Sequence, residues 1–293
     1  MSDIRFETVV VIGYGAITNH VLQCLHRISE RYGYRLVYVE HEIYPFNQAK
    51  KYALKHSVVY KKIEDKDELI RYLFGIAQND VLIVSASNNY LFPSRLLKQR
   101  TVTVINFHNA LLPKYRGRNA ASWVIYEKEK ETGVTWHYVT ENIDEGNIII
   151  QKRCSIAADD TAYQLASRLM DLGYEAFEDC IEGVLQEKIQ TKKQEQISSL
   201  KVYLAREIPG DGRFSLADSP DYIYRLLRAM DCGKNRIFPF PVTELDGTCI
   251  QIKRYRVMQE EERQSADSRI FIPFGDGRGL MLQYSKEMHD KND

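Results

Sequence analysis

The chain lacks a net charge, a long apolar run, a cysteine framework and any internal repeat, and each absence removes a class of function. Forty Lys and Arg balance forty Asp and Glu over 293 residues. No overall field therefore draws the molecule onto nucleic acid, although a local basic patch stays open. No apolar stretch approaches the roughly 20 residues of a membrane-spanning helix, so no membrane partner is expected. The opening MSDIRFETVVVIGYG has no signal-peptide layout, and its apolar run reads as a first strand. Cys24, Cys154, Cys180, Cys232 and Cys249 are far apart and odd in number, with neither disulfide nor zinc spacing. A reduced, cytoplasmic protein without structural metal is the simplest expectation.

What is present is the composition of an ordinary globular protein, 44% hydrophobic and 27% charged, with length for one large domain plus a small one. Residues 8–12 form an apolar run that ends in a glycine turn, and Ile17, Val21, Cys24, Leu25 and Ile28 then follow helical spacing. A strand at 35–40, a helical stretch near 46–55, a short strand at 57–60 and a helix beginning at Asp67 come next. The segments 81–87 and 102–106 are too apolar for strands with one wet face. Strands alternating with helices predict a mostly parallel, Rossmann-like α/β sheet with right-handed crossovers. The pattern then changes to a helix over 119–130, two strands at 133–140 and 147–154 joined by ENIDEG, and a long helix capped by Asp159 or Asp160.

The polar, aperiodic stretch 188–201 places the domain boundary, giving a catalytic domain over 1–195 and a second domain over 196–293. The second begins with a helix capped by Ser219-Pro220. It continues with a hairpin at Asp246-Gly247, the strand CIQIKRYRV, and two strands separated by GDGRG. One helix and several short antiparallel strands suggest a small β-barrel-like, OB-like module. CIQIKRYRV suits a self-association edge, hence a homodimer, and suits internal pairing equally well. The tail SKEMHDKND is expected to fray.

The segment VINFHNALLPKYRGR (104–118) places Asn106 and His108 on one side of a strand end. That is the edge of a parallel sheet where α/β ligand sites form. An amide that donates to an oxyanion and an imidazole that moves a proton suit acyl chemistry. Taken alone, the same residues also suit a turn cap and a hydrogen-bonded strand end. Asp144, in the turn of 132–151, is positioned to accept from His108 and hold its tautomer, and is equally an ordinary turn Asp before Gly146.

Together the segments carry N-x-H-x-x-L-L-P-x-Y-R-G, T-G-V-T-x-H and I-D-x-G-x-I-I-x-Q. This pattern resembles the folate-dependent formyltransferases, specifically through about 100–155 and by layout over nearly the whole chain. The resemblance implies that Asn106, His108 and Asp144 are the catalytic trio and that 10-formyltetrahydrofolate is the formyl donor. No step of such a transfer needs a metal. Two departures stand out: Ala110 where many members carry Ser, and Ala120 in place of a frequent Pro.

For the folate, the resemblance implies backbone contacts from Asn89, Tyr90, Leu91 and Phe92 and from Thr140, Glu141 and Ile143, with Leu91 as an apolar wall. Leu91 and Phe92 also suit the start of an amphipathic helix. The loop GYGAITN (13–19) resembles half of a dinucleotide fingerprint, with Glu40 where a ribose-binding acid would sit, but Thr18 occupies the third glycine position. In formyltransferases acting on phosphorylated amines this loop faces the substrate phosphate, which makes Tyr14, Gly15 and Ala16 candidate phosphate contacts. Lys114, Arg116 and Arg118 suit either an anionic substrate or a solvated rim. Trp123 and Trp136 are expected to pack, and His137 to give structural support.

The amine is a narrower question. A methionyl-tRNA formyltransferase needs basic surface for its acceptor stem. Here HEIYPFNQAKKYALKH is short with only a modest Lys cluster, so nucleic acid is not the expected partner. The segment 115–137 is more similar to the nucleotide-sugar N-formyltransferase branch. The substrate expected is a nucleotide-linked amino sugar, of a 4-amino-4,6-dideoxyhexose type used for surface glycans. A Rossmann oxidoreductase using NAD is the remote alternative.

Overall fold

The computed structural model describes residues 4–42, 46–195, 200–234, 236–263 and 267–286. The expected fraying tail beyond Lys286, positions 196–199 of the expected boundary and positions 43–45 of the Lys-bearing stretch lie outside the described residues.

The elements in chain order begin with β1 (Thr8–Gly13), α1 (Gly15–Tyr32), β2 (Arg35–Glu40), α2 (Gln48–Lys55), β3 (Val59–Lys62) and α3 (Lys66–Ile76). They continue with β4 (Val81–Ala86), α4 (Ser94–Leu97), β5 (Val102–His108), β6 (Arg116–Gly117), α5 (Ala120–Tyr126), β7 (Glu131–Tyr138) and β8 (Ile148–Ser155). Then come α6 (Ala162–Leu185), β9 (Val202–Tyr203), α7 (Pro220–Met230), β10 (Val242–Leu245), β11 (Thr248–Gln259), β12 (Arg269–Pro273) and β13 (Arg278–Lys286). Two compact units result. The first is Met1–Arg118, Glu131–Ser155 and Ala166–Tyr203; the second is Asn119–Lys130, Ile156–Leu165 and Leu204–Asp293.

In the first unit seven strands form one sheet in the order β3-β2-β1-β4-β5-β7-β8. The pairs from β3 to β5 are parallel, and β7 and β8 join antiparallel. The mostly parallel α/β class is therefore observed, with a physical limit at β7. The β7–β8 connection is too short for a crossover and can only close a hairpin. All residues of β4 are buried, as are the last five of β1 and of β2. Their unbroken Val/Ile/Leu runs place them between two layers of helices rather than at a wet face. One layer is built on Val10, Ile12, Val37, Leu69, Leu73 and Ile83. Each such fully buried side chain contributes about 1.5–3 kcal/mol. The chain runs outward from β1 to β3 and returns to β4 on the other side of β1, so the strand order reverses between β1 and β4. The carboxyl ends of β1, β4 and β5 flank that switch, where the loops diverge and leave room for a ligand.

The helix caps refine the expected boundaries. Asp65, not Asp67, caps α3 by accepting from Glu68 N at 2.8 Å. At α6 the cap is a reciprocal Thr161–Gln164 box, while Asp160 turns back to accept from Ala157 N. α5 stops at Tyr126 instead of reaching 130. The run that follows is charged and has no apolar face to bury, and Lys128 takes a left-handed conformation (φ 62°).

In the second unit α7 packs Ile223, Leu226 and Leu227 against Ile250, Leu280 and Leu282 of a four-stranded antiparallel sheet ordered β10-β11-β13-β12. Ser219 caps α7 with Pro220 at its first position, as the spacing predicts. Asp246 and Gly247, both at positive φ (49° and 75°), close the β10–β11 hairpin. β11 pairs with β10 on one side and β13 on the other, so internal pairing accounts for its apolar alternation. Among the described residues no helix is long and apolar enough to cross a membrane.

Candidate active site

The site grows from the end of β5. Alternation sends Asn106 and His108 to one side there, and antiparallel β7 brings His137 opposite Asn106 and Thr135 opposite His108. Asn106 Oδ1 accepts from Ser85 Oγ at 2.7 Å, leaving its amide nitrogen 3.3 Å from His137 Nε2. The Ser85 hydroxyl and the His137 ring hold the two ends of the amide, so the Asn106 side chain is oriented from both sides.

His108 is 5% exposed. Its Nε2 lies 2.8 Å from the carbonyl oxygen of Tyr115. A carbonyl only accepts, so Nε2 carries the hydrogen and the neutral ring turns its Nδ1 lone pair towards Asp144 Oδ2, 3.5 Å away. The tautomer is thus held by a backbone carbonyl, and the carboxylate faces the nitrogen that gains a proton. Burial pushes the His108 pKa below its ordinary 6.5; Asp144 opposes this and His137 adds to it. At neutral pH His108 is a neutral base whose protonated form has a counter-charge waiting.

Asp144 occupies a left-handed backbone position (φ 55°) in the β7–β8 turn. Its Oδ2 accepts from Gly117 N at 2.8 Å, and its Oδ1 lies 3.4 Å from His137 Nε2. Burial works against its ionisation, but His108, His137 and the Gly117 N–H outweigh it and hold the carboxyl below the usual carboxylate range. Gln194 donates to the Asp144 and Gly146 carbonyls at 2.9 and 2.7 Å, pinning the turn from outside.

The loop after β5 is fixed at both ends. Thr135 Oγ1 donates to Ala110 O at 2.7 Å and Gln151 Nε2 donates to Leu112 O at 2.9 Å. β6 pairs with β9, where a Cβ on Gly117 (φ 93°) would strike the Tyr203 carbonyl. Tyr115 (φ 55°) and Asp144 (φ 55°) hold the same uncommon region without being glycine. Such strain persists only where neighbours over-determine it, and it clusters at functional sites.

Other expected residues divide. Lys114 and Arg118 are exposed, but Arg116 is 7% exposed, paired with Glu145 and directed at Leu200 O (3.4 Å). The β6–β9 bridge turns Arg116 inward, so it braces the loop and is not a surface cation for an anionic substrate. Asn89, Tyr90, Leu91 and Phe92 form a loop before α4 rather than the start of a helix. Leu91 is 73% and Ile143 41% exposed. Tyr90, Phe92 and Val139 pack on the same core cluster, and Glu141 is held by Lys98 (2.8 Å) and Ser94 at either end of α4. Glu141 thus ties its turn to α4, and Leu91 and Ile143 are left outward while Tyr90 and Phe92 pack inward. Thr140 bonds within its own turn, to Asn142 O at 3.3 Å. Trp123 and Trp136 are buried as expected, Trp136 donating to Gly173 O at 2.8 Å.

At the end of β1, Tyr14 N donates to Ser87 O, and Gly15 (φ 80°) and Ala16 stand exposed at the start of α1. Thr18 is buried and donates to Ala86 O (2.6 Å) and Tyr14 O (2.9 Å), tying the helix to β4 where a dinucleotide motif needs glycine. Glu40 is 2% exposed and accepts from Asn47 Nδ2 and Tyr60 Oη. It is spent on internal contacts, which removes the ribose-binding acid from the dinucleotide alternative.

Sequence reasoning missed Ser85, the Tyr115 carbonyl, Thr135, Gln151 and Gln194. Ser85, directly after the apolar run 81–84, was a usable signal, because a buried hydroxyl must find a partner. Gln194 had none, lying in an aperiodic polar stretch.

Residues 33–181 match the formyl transferase family. The chain belongs to that family. It is 35% identical over 176 residues to GDP-perosamine N-formyltransferase of Brucella melitensis biotype 1, covering 60% of this formyl transferase and 65% of that protein. It is 30% identical over 215 residues to methionyl-tRNA formyltransferase of Alkaliphilus metalliredigens, covering 72% of this chain and 65% of the relative. The chain thus spans just under two thirds of the length of these curated relatives. An N-formyltransferase from Helicobacter canadensis, solved with folinic acid and dTDP-3-aminofucose, shares the fold with a TM-score of 0.67. That likeness carries 18% identity and covers 96% of this chain and 100% of the other.

Proposed function

We propose that this formyl transferase moves a formyl group from 10-formyltetrahydrofolate to the primary amine of a nucleotide-linked amino sugar. The observation that carries the reading is the buried cluster at the end of β5, where His108 Nδ1 faces an ionised Asp144 beside an oriented Asn106 amide. The folate supplies the electrophilic formyl carbon. The exposed Leu91 and Ile143, set on backbone outside the sheet ladder, suit a flat ring with a polar edge. In this proposal the Asn106 N–H donates to the formyl oxygen as it gains negative charge. His108 Nδ1 takes the proton released by the amine, Asp144 stabilises the imidazolium, and the same proton leaves with the departing nitrogen.

The Brucella relative and the Helicobacter structure, by name, act on or hold nucleotide-linked amino sugars, which supports that substrate class. Exposed Gly15 and Ala16 with Lys114 and Arg118 are the groups for its phosphates. Within this proposal residues 1–195 are the catalytic domain. The four-stranded sheet after them is barrel-like; the long, bulged β11 supports the curvature that this requires. The test is to mix the protein with 10-formyltetrahydrofolate and a panel of amino-sugar nucleotides and follow tetrahydrofolate release. Turnover with charged initiator tRNA and with none of the sugars overturns the substrate. NAD binding without folate binding overturns the reaction.

A further inference from the structure

The second unit holds a cavity of about 280 Å3 that the proposed reaction does not use. Its apolar floor includes Leu227, Met230 and Ile252. Its rim is cationic. The Arg236 guanidinium carbon lies 3.3 Å from the Phe240 ring centroid, and Lys253 Nζ lies 3.7 Å from the same centroid. Arg254 adds a third cation. The facing carboxylate, Asp231, already accepts from Gly233 N (3.0 Å) and Tyr255 Oη (2.9 Å). Among the described residues no carboxylate pairs with Arg236 or Arg254.

Two cations crowded on one ring are poor engineering for stability alone. Each is attracted to the ring face, but they repel one another. A second observation is independent of charge. Ile252 pairs with Tyr284 and Arg254 with Gln283, so Lys253 is the extra residue of a β-bulge. Bulges re-aim side chains, and this one turns Lys253 out of the ladder towards Phe240. Protection of a bare strand edge would need exposed cations but neither a cavity nor an aromatic clamp.

We propose that this cavity binds a nucleoside phosphate. Arg236, Lys253 and Arg254 take the phosphate, with Phe240 holding two of them in place. The apolar floor takes the base, and the lone pairs left on Asp231 accept a ligand O–H or N–H. The volume fits a mononucleotide better than a dinucleotide or a folded nucleic acid.

Calorimetric titration of the full chain with GDP, and separately with dTDP, counts the sites. Two equivalents are expected in the wild type, one in the substrate site and one in the cavity. The double variant Arg236→Glu, Arg254→Glu should retain one, the other weakening by at least about tenfold. Both residues are exposed, so charge reversal leaves the core intact, and circular dichroism checks it. Phe240→Ala is a second route to the same loss. One equivalent in the wild type and none in the double variant supports the cavity and counts against the substrate reading. Equal stoichiometry in wild type and variants overturns the cavity. A short RNA hairpin that binds at lower concentration than GDP through the same residues overturns a nucleotide as its occupant.

Discussion

The ends of β1 and β5 lie in one sheet, separated by β4, and both open into loops at the same carboxyl edge. Only β5 gathers chemistry. At β1 the next element is a helix, and the polar groups nearby are spent on structure: Thr18 on Ala86, Glu40 on Asn47 and Tyr60. At β5 the neighbour is antiparallel β7, which delivers His137 and returns the chain through the turn bearing Asp144. In this sheet the end of β5 becomes a candidate site because a neighbour of opposite direction brings titratable groups back over it.

The sharpest way to break this comparison is to remove the charge at β5. Asp144→Asn should lower kcat on the order of 1,000-fold, since the imidazolium loses its counter-charge. It should also lower the His108 pKa further, because Asp144 is the main group raising it. The acid limb of kcat/KM, below pH 6.5 in the wild type, should therefore move to lower pH in the variant. An unmoved limb would mean that another group carries the proton. Asn106→Ala comes next, with about 100-fold lost from kcat and a pH profile left in place.

The same groups set an acid dependence of stability. His108 has a lowered pKa, so its contribution is complete above pH 6.5 and is lost as pH falls through the folded value. Asp144 is also lowered, so its contribution is lost at still lower pH, below its ordinary 3.8. Denaturant midpoints should fall as pH drops below 6.5 and again only below pH 3.8, and His108→Gln should flatten the first step.

Gly117→Ala should destabilise by about 1–3 kcal/mol, from the positive φ and the Tyr203 carbonyl, and should reduce kcat by loosening Asp144. Ser85→Ala should cost about 1 kcal/mol, or about fivefold in kcat, by freeing the Asn106 amide to rotate. The smallest effect belongs to β1. Gly15→Ala meets open space and strains only φ, costing about 1 kcal/mol of stability. A rise in KM for the proposed sugar-nucleotide substrate with kcat unchanged would mark this loop as a binding surface, and no change in KM would leave it as a turn.

Most elements were legible from periodicity because their packing partners demand it: buried strands need continuous apolar runs, and α7 needs one apolar stripe. The ends were less legible. α5 stops early because the charged residues after Tyr126 have nothing to pack against, and α6 is capped by Thr161 instead of the adjacent acids. Asn106, His108 and Asp144 stood out through spacing and residue type, whereas their supports did not. Ser85, Gln194 and the Tyr115 carbonyl act from distant or backbone positions, and a backbone carbonyl has no signature in residue identity. Arg116 shows the reverse error: a cation in an exposed-looking motif proved to be buried and paired.

By itself, the sequence determined the sheet-forming runs, the residues proposed to move a proton and hold an oxyanion, and the family to which the chain belongs. These depend on local pattern and side-chain chemistry. Only the tertiary structure decided that His108 is neutral with its hydrogen on Nε2, that Asp144 stays ionised, and that Glu40 and Arg116 are internal. Those outcomes depend on burial and on partners far apart in the chain, because the stability of a charge is set by its surroundings.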